Sequence, residues 1–89
     1  VPEIRLKIQH KAGLHARPAA MFVQTANKYK AAIKVRHGER EANAKSIMGI
    51  LTLGASQGAE VTVHAEGSDA EQALSGLREL VESNFGEQS

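Results

Sequence analysis

Three stretches of this chain alternate apolar and polar residues with a period of two, and each leaves one face polar. Ile4, Leu6 and Ile8 alternate with Glu3, Arg5, Lys7 and Gln9; Ile33 and Val35 with Lys34 and Arg36; Val61, Val63 and Ala65 with Thr62 and His64. Successive side chains of a strand point to opposite faces, so these segments predict a sheet that buries only one side. Elsewhere the apolar spacing is helical. Ala16, Ala19, Ala20, Val23 and Ala26 recur at helical intervals to about Asn27, with Phe22 on the flank. Ala70, Ala73, Leu74, Leu77, Leu80 and Val81 form a stripe opposite Glu71, Gln72, Arg78, Glu79 and Glu82. Ser68 and Glu71 supply a capping box for this last helix, and Gly86 a stop. Ser46, as an N-cap, opens the short apolar run Ile47-Met48-Gly49-Ile50-Leu51. His37-Gly38 offers a turn into a more polar edge strand over Glu39 to Asn43. The order is β-α-β-β-α-β-α, and a one-sided sheet needs one covering layer, which predicts an α+β two-layer sandwich.

The 89 residues suit one domain spanning 1–89. With one Tyr, two Phe and no Trp, the core must come from Ile, Leu, Val and Ala, and stacking platforms for nucleic acid are missing. The absence of Cys excludes disulfide and thiolate chemistry. No signal peptide or membrane-spanning run is apparent, and the expectation is a cytoplasmic chain without membrane insertion. The net charge of +1 hides an asymmetry: residues 1–45 hold ten Lys or Arg against three acids, and residues 46–89 hold one against seven. Such a division is either a property of solvated surface or a basic docking face for acidic partners.

The segment Gly13-Leu14-His15-Ala16-Arg17-Pro18-Ala19-Ala20 sets a histidine and an arginine at the start of the first helix. Proline is tolerated in a first helical turn, which places His15 at or beside the N-cap. The backbone N–H groups of Ala16 and Arg17 then lack intrahelical partners and form the positive end of the helix dipole, where an anion is stabilised. The Arg17 guanidinium adds a bidentate clamp for phosphate oxygens. His10, His37 and His64 have no metal-ligand spacing and read as surface residues, so no metal site is expected. No Ser or Asp lies close enough in sequence to His15 to argue for a hydrolase.

Gly13-Leu14-His15-Ala16-Arg17-Pro18-Ala19, with Lys45-Ser46-Ile47-Met48-Gly49-Ile50-Leu51 leading to Leu53-Gly54, resembles the HPr family of histidine-containing phosphocarriers of the bacterial phosphoenolpyruvate-dependent sugar phosphotransferase system. The resemblance spans essentially the whole chain. It implies an open-faced sandwich with four antiparallel strands in the order 1-4-2-3 and three helices on one face. It implies a monomeric, stoichiometric carrier without cofactor, not an enzyme: His15 takes a phosphoryl group on Nδ1 from phospho-enzyme I and passes it to a histidine of a sugar-specific enzyme IIA. Partner docking maps onto Ala16, Arg17, Ala20, Ile47, Met48 and Leu51, with Lys28 and Lys45 at the rim; simple core packing is an equal reading for Ile47 or Met48 taken alone. Ser46 resembles the serine phosphorylated by HPr kinase/phosphorylase in some members, a modification that couples carbon supply to a transcriptional regulator. A nitrogen-related paralogue and a regulatory binding protein acting through phosphorylated Ser46 are the alternatives, although the carbon-repression type lacks the active histidine. Many relatives carry a small polar residue where this chain has Ala12, which implies that a supporting hydrogen bond near His15 is missing.

Overall fold

In a computed structural model, which describes residues 2–86 apart from the side chain of Ala16, the elements are β1 (Glu3–Lys7), α1 (Ala16–Ala26), β2 (Ala32–His37), β3 (Arg40–Asn43), α2 (Ile47–Thr52), β4 (Glu60–Glu66) and α3 (Ala70–Glu82). The strands form one antiparallel sheet in the order β1-β4-β2-β3. The alternation read from the sequence sets the two faces: Leu6, Ile33, Val35, Val61, Val63 and Ala65 are buried under the helices, and Ile8 continues that face just past β1. Residues directly opposite in an antiparallel pair share a face. Glu3, His64, Lys34 and Asn43 therefore form one row of the helix-free face, and Arg5, Thr62, Arg36 and Glu41 the next.

The helix stripe of α1 is rotated from its expected position. Ala19, Phe22 and Ala26 are fully buried, whereas Ala20 and Val23 are half-buried. The two alanines flanking Phe22 at one-turn spacing leave room for its ring at the centre of the core. α3 buries Ala70, Ala73, Leu74, Leu77 and Val81, with Leu80 half-buried beside them. It ends at Glu82 rather than running on to Gly86: Asn84 and Phe85 adopt φ of 56° and 58°, which turns the chain back and buries the Phe85 ring. The β2–β3 turn is Gly38-Glu39 rather than His37-Gly38, since His37 pairs with Arg40. Gly38 takes φ +62°, a conformation that two-residue hairpin turns demand and glycine meets without strain.

The expected Ser68 capping box is not formed. Asp69 is the N-cap of α3, and its carboxylate, instead of capping, accepts the backbone N–H groups of Lys30 and Ala31 at 2.8 Å each. Asp69 thus ties the start of α3 to the connection between α1 and β2. The Lys30 amide, foremost, together with that of Ala31, holds its pKa below the ordinary carboxylate value. Because the folded value is depressed, the stabilisation is complete above the unfolded pKa and is lost as pH falls through the folded one. Urea denaturation across a pH series should therefore find Asp69→Asn less stable than the parent at neutral pH, with the gap closing in acid. A gap independent of pH would contradict this role.

His37 and Arg40, facing each other on the helix side of the hairpin, reach the last carbonyls of α2. Arg40 donates to Thr52 O at 2.9 Å, and His37 Nδ1 lies 3.0 Å from Leu53 O. A carbonyl only accepts, so this His37 nitrogen carries the proton. His37 is consequently a structural cap, half-buried, rather than a plain surface residue.

The fold also divides the basic half of the chain. Inserting β4 between β1 and β2 places Glu60 and Glu66 among Arg5, Lys7, Lys34 and Arg36 on the helix-free face. Arg40 and Lys45 are bonded to carbonyls, so the ten cations do not form one docking surface.

Candidate functional site

The loop ahead of α1 is held by its own backbone. Gly13 N–H donates to His10 O at 2.9 Å, Leu14 N–H to Ala55 O at 2.8 Å, and His15 N–H to Gly13 O at 3.0 Å. Leu14 is 2% exposed and pins the loop to the core. Gly13, at φ +67°, lies so close to the segment after α2 that a Cβ would collide with Ala55 O and approach Ser56 Cα to 2.7 Å. A side chain at position 13 is thus excluded twice, by dihedral and by space.

This loop delivers His15 to the N-cap of α1 with extended backbone, φ −140° and ψ 153°. Its side chain is exposed and makes no capping hydrogen bond. Ala16 and Arg17 occupy the first two helical positions, and Pro18, the third, has no N–H. The helix end therefore offers the Ala16 and Arg17 N–H groups, with no acidic residue in the first turn to neutralise them. The exposed Arg17 side chain adds a mobile cation. Chemically this is an open imidazole beside an uncompensated helix N-terminus and a guanidinium, an arrangement that accommodates a dianion on the ring.

α2 packs against α1 in the helix layer, and its exit, Leu53 to Ser56, is the segment on which the Gly13–Leu14 loop rests. Ser46 is its N-cap as expected, with Oγ accepting the Gly49 N–H at 3.2 Å. Ile50 is buried and Leu51 half-buried, while Ile47 and Met48 are 39% and 67% exposed, the exposed large hydrophobics among the described residues. Core packing is thereby excluded as the reason for Met48.

The helix layer sets α1, which begins after His15 and carries Arg17 and Ala20, against α2, which carries Ile47, Met48 and Leu51 behind its N-cap Ser46. The two rim lysines lie toward the other end of α1 from His15. Lys45 Nζ donates to Tyr29 O at 2.7 Å, at the far end of α1. Lys28 is exposed past that same end, roughly 20 Å from His15 at 1.5 Å per helical residue. Sequence reasoning missed His10, whose Nδ1 accepts the Ala12 N–H at 3.0 Å. A signal was present: Lys11, Ala12, Gly13 and Leu14 have no side-chain acceptor, while His10, two residues before Ala12, carries one. Position 12 therefore does have a supporting hydrogen bond, made to its backbone.

A family model for the phosphorylation site of the HPr component of the phosphotransferase system matches residues 2–83. The chain belongs to the HPr family. HPr from Thermoanaerobacter tengcongensis, as a crystal structure, is 52% identical with a TM-score of 0.97 over 100% of both chains. HPr from Bacillus anthracis is 46% identical, with a TM-score of 0.86 over 90% of this chain and 95% of its own. The catabolite repression protein Crh of Bacillus subtilis, seen as a swapped dimer, is 42% identical, with a TM-score of 0.75 over 89% and 91% of the two chains. The sheet order and three helices are those of HPr structures. As an HPr, the chain is a phosphocarrier of the phosphotransferase system, a non-enzymatic intermediate in phosphoryl transfer. Among the described residues no helix is long and apolar enough to cross a membrane.

Proposed function

We propose that His15 is the residue that carries the phosphoryl group, taking it from phospho-enzyme I and passing it to a histidine of an enzyme IIA in the cytoplasm. The observation that supports this most is the exposed His15 ring, free of any capping duty, at a helix N-terminus without acidic residues. In the first step the lone pair of neutral His15 Nδ1 attacks phosphorus, an N–P bond forms, and the bond from phosphorus to enzyme I breaks with its electron pair staying on the donor. In the second step the new N–P bond breaks and its electrons return to His15 Nδ1 as the acceptor histidine forms its own. Neither step needs a redox partner or cofactor. The Ala16 and Arg17 N–H groups and the Arg17 guanidinium stabilise the added charge through the cycle. Because the site is open, the group remains accessible to the next nucleophile.

Docking falls to the face of α1 and α2 bearing Arg17, Ala20, Ile47, Met48 and Leu51. An exposed, flexible methionine in an apolar patch suits a surface that serves several partners. Incubation with enzyme I and labelled phosphoenolpyruvate should place acid-labile, base-stable label on the peptide containing His15. Acid-stable label, or label on another histidine, would overturn the assignment.

Ser46 is proposed as the regulatory site, a substrate of HPr kinase/phosphorylase, through which a transcriptional regulator is engaged. A phosphate at this N-cap is compatible with the helix, yet adds negative charge beside Ile47 and Met48. Ser46→Asp is the controlled version, since aspartate is itself a good N-cap. It should change stability by less than about 1 kcal/mol and slow phosphoryl transfer from enzyme I about tenfold or more, as like charges in an interface do. Unchanged transfer kinetics would remove Ser46 as a switch. The presence of His15 favours the carrier over a purely regulatory binding protein of the Crh kind.

A further inference from the structure

We infer that His10 is a positioning residue for the chemistry at His15, a role that rests on the carrier reading above. All the backbone N–H groups from Ala12 to His15 are committed, and His10 supplies two of the four acceptors: its carbonyl to Gly13 and its ring Nδ1 to Ala12. The ring bond is the one that depends on a side chain. Ala12 has no polar atom of its own to brace the loop, and Lys11 carries only donors. Without the ring acceptor, the three peptide units between His10 and Gly13 are held only by the bond from Gly13 N–H to the His10 carbonyl.

The His10 ring is itself fixed from below. It stands edge-on to Phe85 with ring centroids 5.8 Å apart and planes at 82°. Phe85 is 1% exposed and locked by the left-handed turn that ends the α3 region. A path of direct contacts thus runs from the buried core through Phe85 and His10 to the Ala12 amide, three residues before the phosphoryl acceptor. The acceptor's N-cap geometry is set by this loop, since His15 makes no side-chain bond to set it locally. Loosening the loop lowers the fraction of molecules whose His15 nitrogen is aligned for in-line attack, without touching the docking face on α2.

The test separates the ring's packing from its acceptor. His10→Phe keeps an aromatic ring against Phe85 and deletes the acceptor. His10→Asn restores one, because an asparagine oxygen accepts the N–H two residues on. With purified enzyme I and phosphoenolpyruvate, His10→Phe should lower the turnover rate roughly three- to tenfold, the worth of one hydrogen bond, at unchanged KM for the carrier. His10→Asn should recover most of that rate. Amide hydrogen exchange should show Ala12 accelerated in His10→Phe and protected in His10→Asn, with core amides of β4 unaffected in both. Faster Ala12 exchange with wild-type turnover would overturn the inference, and so would an unprotected Ala12 amide in the parent. A loss carried entirely in KM would assign His10 to docking and equally overturn it. If the parent chain accepts no phosphoryl group, the carrier reading fails and this inference with it, a result distinct from a normal parent and an indifferent His10→Phe.

Discussion

His15→Ala should abolish labelling by enzyme I and phosphoenolpyruvate while leaving stability within about 0.5 kcal/mol of the parent. The pairing of these two results is what makes the substitution informative. N-cap residues ordinarily stabilise their helix by about 1 kcal/mol through a side-chain hydrogen bond, but His15 makes none. Its ring is exposed and packs into no core, so removal opens no cavity. Ser46→Ala provides the contrast: its Oγ does cap α2, and losing it should lower stability by about 1 kcal/mol. Label incorporation followed by mass spectrometry, with urea denaturation in parallel, measures both. Residual acid-labile label in His15→Ala would move the acceptor to another histidine.

Gly13→Ala is the second large effect, and here stability and transfer should fail together. A non-glycine residue at φ +67° costs about 1–2 kcal/mol from the left-handed backbone alone. The new methyl must also push Ala55 and Ser56 away, an overpacking cost of typically about 1–3 kcal/mol. The sum of about 2–5 kcal/mol is a large share of the total, roughly 4–13 kcal/mol for a domain of this size. Relief of the clash requires the loop to part from the segment after α2, which breaks the Leu14 to Ala55 hydrogen bond and shifts His15. A displacement near 1 Å is enough to cost ~10²-fold in transfer. Urea midpoints and transfer rates at a temperature where the variant remains folded would separate the two losses. Parent-like transfer in a folded Gly13→Ala would show that the loop does not position the acceptor.

The parts of the fold legible in the sequence were those governed by local periodicity. The strand segments read from Ile4, Ile33 and Val61 lie within a residue or two of β1, β2 and β4, because alternation directly encodes which face is buried. Ser46 as an N-cap was equally local, being a hydrogen bond to Gly49 three residues away. The misreadings share a different cause. Ser68 and Glu71 looked like a capping box, yet the N-cap is Asp69, whose carboxylate serves amides 38 and 39 residues away. His37 looked like a turn residue on the surface, yet bonds a carbonyl 16 residues on. Gly86 looked like a helix stop, yet the helix ends earlier because Phe85 has a buried place to fill. In each case a partner distant in sequence outcompeted the local motif.

The sequence by itself determined the one-sided sheet, the helix that begins after His15 and the pairing of that histidine with Arg17. All depend on interactions within one or two turns of the same element. Only the tertiary structure decided that Met48 is exposed rather than packed, that the basic half of the chain is split across two faces, and that Lys28 and Lys45 stand away from His15. It also revealed that the loop before His15 leans on Ala55 from one side and on the His10 ring from the other. These depend on which segments meet in space, and a pattern of period two or 3.6 says which face is buried but not against what.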